Sequence, residues 1–114
     1  MLISGDVVEL DLGVPSGREA GFKHPAVVIT AQTILDNEPS VMQVVPLTTT
    51  LREFESEVRV EAGSGSGLEQ PSSAQCQHVR SVSTSRVQAT VGNVGAATLA
   101  EIREVVGILL DIPG

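Results

Sequence analysis

The sequence predicts a mainly β domain with one C-terminal helix, arranged as a small, strongly bent antiparallel sheet or barrel over which the helix packs. Short apolar runs, several with a period near two, recur from Val7 to Val91 between Gly-, Pro- and Ser-rich connections. A single apolar stripe at helical spacing closes the chain. A chain of 114 residues has room for one core, so residues 1–114 are expected to form a single domain. Many short strands followed by one amphipathic helix satisfy one core when the helix covers the sheet.

After the punctuation of Ser4-Gly5-Asp6, Val7, Val8, Leu10 and Leu12 alternate with Glu9 and Asp11, as in a half-buried strand. Gly13 to His24 follows, twelve residues with three glycines and one proline, too long for a tight hairpin turn and of the length at which loops carry function. Pro25 to Thr30 is a continuous apolar run, expected to be a strand buried on both faces, with proline tolerated at its first position. Ala31 to Ser40 reads as a polar connection with one helical turn, and Val41 to Leu47 as a third buried strand with Thr48, Thr49 and Thr50 at its exit. Glu57 to Glu61 alternates cleanly and predicts a strand with one wet face. Gly63-Ser-Gly-Ser-Gly67 has the composition of a flexible hairpin connection. Ser72 to Gln77, Val79 to Val82 and Val87 to Val91 are further short strands, and no internal repeat is present. Thr98-Leu-Ala-Glu101 has the pattern of a capping box opening the helix. Its stripe runs through Leu99, Ile102, Val106 and Leu109, broadened by Val105, Leu110 and Ile112, and Pro113 stops it. That stripe is expected to serve as core or as dimer surface.

Aromatic residues make up 2% of the chain, Phe22 and Phe54 alone, so the core must be built from Val, Ile, Leu and Ala. Such a core is marginal, and burying an apolar face against a second copy is the common remedy, which makes a homodimer the expectation. One cysteine, Cys76, cannot form an internal disulfide and is expected to be a small buried residue. Two histidines and one cysteine make no zinc-binding pattern, so no structural metal is expected. No apolar run approaches the ~18 residues that cross a bilayer, and the start lacks a secretory signal, so a cytoplasmic protein without membrane association is expected.

The net charge of −7 argues against a surface that binds nucleic acid everywhere. The charge is segregated, however. Leu12 to Leu35 carries Arg18 and Lys23 against Glu19, and Gln70 to Ala100 carries Arg80 and Arg86 with no acid. Both histidines, His24 and His78, fall inside these two stretches, which could receive a polyanion if the fold joins them.

Walker, nucleophile-elbow and dinucleotide-binding patterns are missing. What remains is a loop with Arg18, Lys23 and His24, a strand exit with three hydroxyls, and a segment with Gln77, His78 and Arg80. These groups suit metal-free cleavage of RNA. The ribose 2′-hydroxyl attacks its own phosphate, a base removes the proton, an acid protonates the leaving oxygen, and cations hold the developing charge. Arg86 reads as a solvated loop charge.

Gly5-Asp6-Val7-Val8-x-Leu-Asp11-Leu, the long polar loop, Pro25-Ala-Val-Val-Ile29, Val45-Pro46-Leu47-Thr48-Thr49 and Gln77-His78-Val79-Arg80-Ser81-Val82 occur in this order. Together they resemble the successive signatures of MazF/PemK-type toxins over nearly the whole chain. The resemblance implies a bent SH3-like barrel of the MazF/PemK/CcdB type, homodimeric, cutting single-stranded RNA at short sequences without a metal cofactor and leaving a cyclic phosphate. It also implies a toxin–antitoxin pairing, with a small acidic MazE-like antitoxin as partner. Thr48 matches the family's threonine at the end of the third strand, which contacts the scissile phosphate. His24 stands directly before the Pro-Ala-Val-Val strand, where most members carry a catalytic arginine. Imidazole exchanges protons near neutral pH more easily than guanidinium but gives up permanent charge. Arg18 and Lys23 can restore that charge. His78 stands where glutamine is common, and Arg80 matches a basic position; with Thr49 and Gln77 they complete the expected substrate-binding set. The exchange of arginine for histidine also leaves open a non-cleaving relative that binds a topoisomerase-like protein target, or an antitoxin and operator DNA.

Overall fold

The structure, a computed structural model, describes residues 1–12 and 24–113. Among these residues are seven strands, β1 (Asp6–Leu10), β2 (His24–Val28), β3 (Val41–Thr48), β4 (Glu57–Val60), β5 (Ser72–Gln75), β6 (Arg80–Ser83) and β7 (Val87–Asn93), with a one-turn helix α1 (Gln32–Leu35) between β2 and β3 and α2 (Ala96–Leu109) after β7. The strand order is β4-β5-β3-β2-β1-β7, with β6 also paired to β3. Every pairing is antiparallel. The expected mainly β class with a C-terminal helix is present, although among the described residues β4 and β7 are not hydrogen-bonded neighbours and the sheet does not close into a barrel.

A proline divides β3 between two partners. The Ile29 amide donates to the Gln43 carbonyl, so odd-numbered residues of β3 turn their backbone polar groups to β2 and even-numbered ones turn away. Pro46 is even-numbered and has no N–H to offer on that outer side. The ladder with β5 therefore ends at Leu47 and Thr48, opposite Ala74 and Ser73. The chain leaves through a 3-10 turn at Cys76–His78 and rejoins β3 as β6, opposite Val41 to Val44. The expected strand Ser72 to Gln77 is accordingly two residues shorter.

The period of two distributes the apolar residues between two cores. Val7, Val27, Val45, Leu47, Val58, Val60 and Ala74 pack beneath Ile102 and Val106 of α2. Val8, Leu10, Ala26, Val28, Met42 and Val44 form the other face with Leu35 and Val82. The continuous apolar runs of β2 and β3 thus bury both faces, as their composition predicts. So does the start of β1, where Val7 and Val8 are both inaccessible, while Glu9 is partly exposed and Asp11 exposed, as their alternation predicts.

Asp6 explains the Gly5-Asp6 signature. Its carboxylate is buried, accepting from the Ile3 amide at 2.8 Å and from Asn93 Nδ2 at 3.0 Å, so it ties the N-terminal turn to β7. Gly5 beside it takes φ +91°, which favours glycine. Arg103 then fastens α2 across the sheet by donating to the carbonyls of Ile29 and Thr30.

Two local expectations are corrected. The Gly-Ser connection is pinned by the Asn93 amide donating to the Gly65 carbonyl and by Ser66 Oγ donating to the Glu61 carbonyl. A Cβ on Gly92 would lie 2.3 Å from the Ser66 backbone, so small residues here permit close packing where the composition suggested flexibility. Helix α2 starts before the capping-box residues: Gly95 is the N-cap at φ +88°, with no side-chain cap, and its carbonyl accepts from the Leu99 amide. Thr98 lies inside the first turn because the sharp exit from β7 requires a left-handed residue, which only Gly95 offers cheaply. At the other end Asp111, at φ +57°, gives a Schellman closure, in which Ile112 donates to Gly107 and Asp111 to Ile108. The helix is therefore finished before Pro113. Leu99, Ile102 and Val106 are buried, whereas Ile108, Leu109, Leu110 and Ile112 remain exposed.

Candidate functional site

A cavity of about 730 Å³ opens among the ends of β1, β2, β3 and the β5–β6 connection. Leu10, Leu12, Ala26 and Val44 give it an apolar lining, and His24, Thr48, Thr49, Gln75, His78 and Arg80 bring the polar groups. Alternation explains the selection. Even-numbered residues of β1, β2 and β3 face this side, and the pairing of Ala26 with Pro46, carried two residues further, sets His24 across from Thr48. Leu10 lies beside His24 on the other flank. The turn that follows from Pro46 brings His78 and Arg80 to the same wall.

Thr48 Oγ1 accepts from the Thr50 amide at 3.1 Å, which orients the hydroxyl and leaves its proton for donation. His24 is half-buried; His78 and Arg80 are exposed. No carboxylate lines the cavity among the described residues, although the protein as a whole carries −7. Among the described residues the cleft is therefore a donor-rich recess on an acidic molecule, bordered by one guanidinium and two imidazoles. Among the described residues no group of three or more His, Cys, Asp or Glu side chains could hold a metal ion, and no helix is long and apolar enough to cross a membrane.

Of the residues singled out by sequence, His24, Thr48, Thr49, His78 and Arg80 share this cleft. Arg18 and Lys23 lie outside the described residues. Gln77 is not part of the lining; its Nε2 donates at 2.8 Å to Glu57 Oε2. The same oxygen accepts from Arg52 at 2.6 Å, and the Arg52 guanidinium lies 4.6 Å from the Phe54 ring. Burial pushes the Glu57 carboxyl up, but the hydrogen bonds from Gln77 and Arg52, the Arg52 charge and a bond from Gln75 together hold it below the usual glutamate range. Glu57 thus anchors Gln77 and stands opposite the cleft residue Gln75 in the β4–β5 ladder. Sequence reasoning missed it, because Glu57 opens an alternating strand and looks like a solvated charge; only its pairing with Gln75 reveals the role. Cys76 is fully buried, and desolvation pushes its thiol up to about 11, the inert state expected of it.

The fold and this cleft define a small β scaffold with a donor-rich recess at the ends of its central strands. The chain belongs to the PemK-like, MazF-like toxin family of type II toxin–antitoxin systems, whose sequence profile matches residues 3–110. It is 29% identical to Endoribonuclease MazF9 of Mycobacterium tuberculosis, over 98% of each chain. The fold is similar to that of MazF from Deinococcus radiodurans, with 27% identity and a TM-score of 0.73 over 95% of this chain and 94% of that one. A MazE–MazF structure from the same organism matches with 25% identity and a TM-score of 0.76, over 96% and 95%. The M. tuberculosis toxin MazF-mt6 shares the fold at 22% identity, with a TM-score of 0.75 over 96% and 99%.

Proposed function

We propose that this protein is the toxin of a type II toxin–antitoxin pair and acts in the cytoplasm as a sequence-selective endoribonuclease on single-stranded RNA, without a metal. The observation that carries the reading is the convergence of His24, Thr48, His78 and Arg80 on one cleft, which no carboxylate lines among the described residues, in a chain of this family. The 2′-oxygen attacks the adjacent phosphorus as its proton passes to a base. The bond from phosphorus to the 5′-oxygen breaks, and that oxygen takes a proton, leaving a 2′,3′-cyclic phosphate and a 5′-hydroxyl. His24 exchanges a proton with the reacting oxygens. The Thr48 hydroxyl and the Arg80 guanidinium stabilise the pentavalent phosphorane, and Arg18 and Lys23, which precede His24 in the sequence, are assigned a supporting positive charge. His78 and Thr49 contact the substrate, and Gln77 contributes through Glu57 by fixing the wall beneath it.

A donor-rich cleft also fits the acidic tail of an antitoxin, and the relative from D. radiodurans occurs in a MazE–MazF structure. The exposed apolar end of α2 with Phe54, flanking a groove of about 650 Å³, is the surface we assign to the second copy of a homodimer. Incubation with a long single-stranded RNA tests the function. Cutting at a recurrent short sequence, unchanged by EDTA and abolished by a 2′-deoxyribose at the cleavage site, is expected. Intact RNA across several substrates would instead support the non-cleaving, protein-binding alternative.

A further inference from the structure

Beyond the main cleft, β6 pairs among the described residues with β3 alone, Val41 opposite Ser83 through Val44 opposite Arg80, and its other edge is uncovered by any of them. The Thr84 amide donates to the Ser40 carbonyl at 2.9 Å, which fixes the phase of the ladder: Arg80, Val82 and Thr84 point their amides at β3. Ser81 and Ser83 therefore direct theirs to the open edge. A second cavity of about 250 Å³ lies there, lined by Leu12, Arg80, Ser81, Val82, Ser83 and Arg86. It shares Leu12 and Arg80 with the main cleft, so one guanidinium borders both recesses.

The chemistry of this pocket is one-sided. No carboxylate lines it among the described residues. Among the described residues the Arg86 side chain makes one long bond, 3.4 Å from Nη1 to the Asp11 carbonyl, which commits none of its other donors to them. Two outward amides and two guanidinium groups suit the non-bridging oxygens of a phosphodiester, the group that arginine forks and backbone amides bind together at nucleic-acid interfaces. We propose that the RNA strand continues past Arg80 into this pocket, where Arg86 and the Ser81 and Ser83 amides hold a backbone phosphate flanking the scissile one. The inference rests on the nuclease reading of the main cleft and assigns Arg86 a positioning role in place of that of a solvated loop charge.

Two independent variants test it. Arg86→Gln removes the charge. Ser83→Pro removes an outward amide without backbone strain, because Ser83 already has φ −67°, close to the value proline imposes; Ser83→Ala controls for the hydroxyl. Thermal melts confirm that each variant is folded, and the proline variant decides the matter if Arg86→Gln is not. Binding is measured with an RNA oligonucleotide carrying one 2′-deoxyribose at the cleavage site, and turnover with the all-ribose form. Arg86→Gln is expected to weaken binding about tenfold at low salt and to flatten the slope of log affinity against log salt by about 0.7, with KM rising and kcat holding. Ser83→Pro should weaken binding and Ser83→Ala should not. A neutral methylphosphonate at the flanking position should weaken the wild type and leave Arg86→Gln indifferent. Wild-type affinity and salt slope in both variants, with normal cutting by the parent, would overturn the pocket and leave the cleft reading standing. A parent that neither binds nor cuts RNA would overturn both. Loss of antitoxin affinity alone would reassign the edge to a protein strand.

Discussion

Replacing Glu57 should destabilise the protein and loosen the cleft together. The Glu57 side chain is 1% exposed and receives Gln77 at 2.8 Å and Arg52 at 2.6 Å. In Glu57→Ala the Arg52 guanidinium, 39% exposed, can turn to water, so its loss contributes little. The Gln77 amide cannot: its Oε1 is already buried without a partner, and its Nε2 would join it. One lost bond to a charged group, with a donor left dry, corresponds to about 2–3 kcal/mol, read as a shift of the urea midpoint at constant slope. Glu57→Gln keeps an acceptor for Gln77 and should lose about 1 kcal/mol. The pH dependence has a definite sign. Because the folded carboxyl titrates below the usual glutamate range, its charge stabilises the fold above that range, and this stabilisation is lost as pH falls through the lowered value. The gap between wild type and Glu57→Gln should therefore close in acid. Since Gln75 both lines the cleft and pairs with Glu57, KM for RNA should rise in Glu57→Ala at temperatures where it is fully folded. A Glu57→Ala protein as stable as the parent, or a gap independent of pH, would refute the reasoning.

The remaining expectations are simpler. Arg103→Ala frees the carbonyls of Ile29 and Thr30 and should lower stability by about 1–2 kcal/mol in denaturant titration. Gly92→Ala would force a methyl group against the Ser66 backbone and should lower it by about 1–3 kcal/mol, which a melting curve would show. Cys76, with its thiol near 11 and no exposure, should resist a thiol reagent in native buffer and react at once in denaturant. A charge at Leu109, as in Leu109→Glu, should shift the protein toward monomer in sedimentation if the exposed end of α2 seats the second copy.

What the chain revealed in advance was whatever depends on near neighbours. The alternation through Glu57 to Val60 and the apolar runs of β2 and β3 announced strands, and the spacing of Leu99, Ile102 and Val106 announced the helix. Cleft residues emerged too, because short motifs preserved the order of His24, Thr48, His78 and Arg80. Features set by distant partners stayed hidden. Thr98 and Glu101 satisfy a local capping rule, yet Gly95 wins because Asn93 is tied to Asp6 and Ser4 across the sheet and accepts the Gly95 amide. The Gly-Ser run reads as loose until β7 is laid against it. Gln77 seemed a substrate contact, and only the β4–β5 register shows that Glu57 claims its amide. Pro46 is visible in the sequence, but its effect, dividing β3 between β5 and β6, needs the phase of the ladder.

The single-turnover cleavage rate of His24→Ala, set against wild type on one RNA oligonucleotide, bears most directly on the chemistry assigned to the cleft. A proton-transfer role predicts a fall of about 10²-fold or more. Undiminished cutting by the variant would contradict it and move the proton transfer to another group.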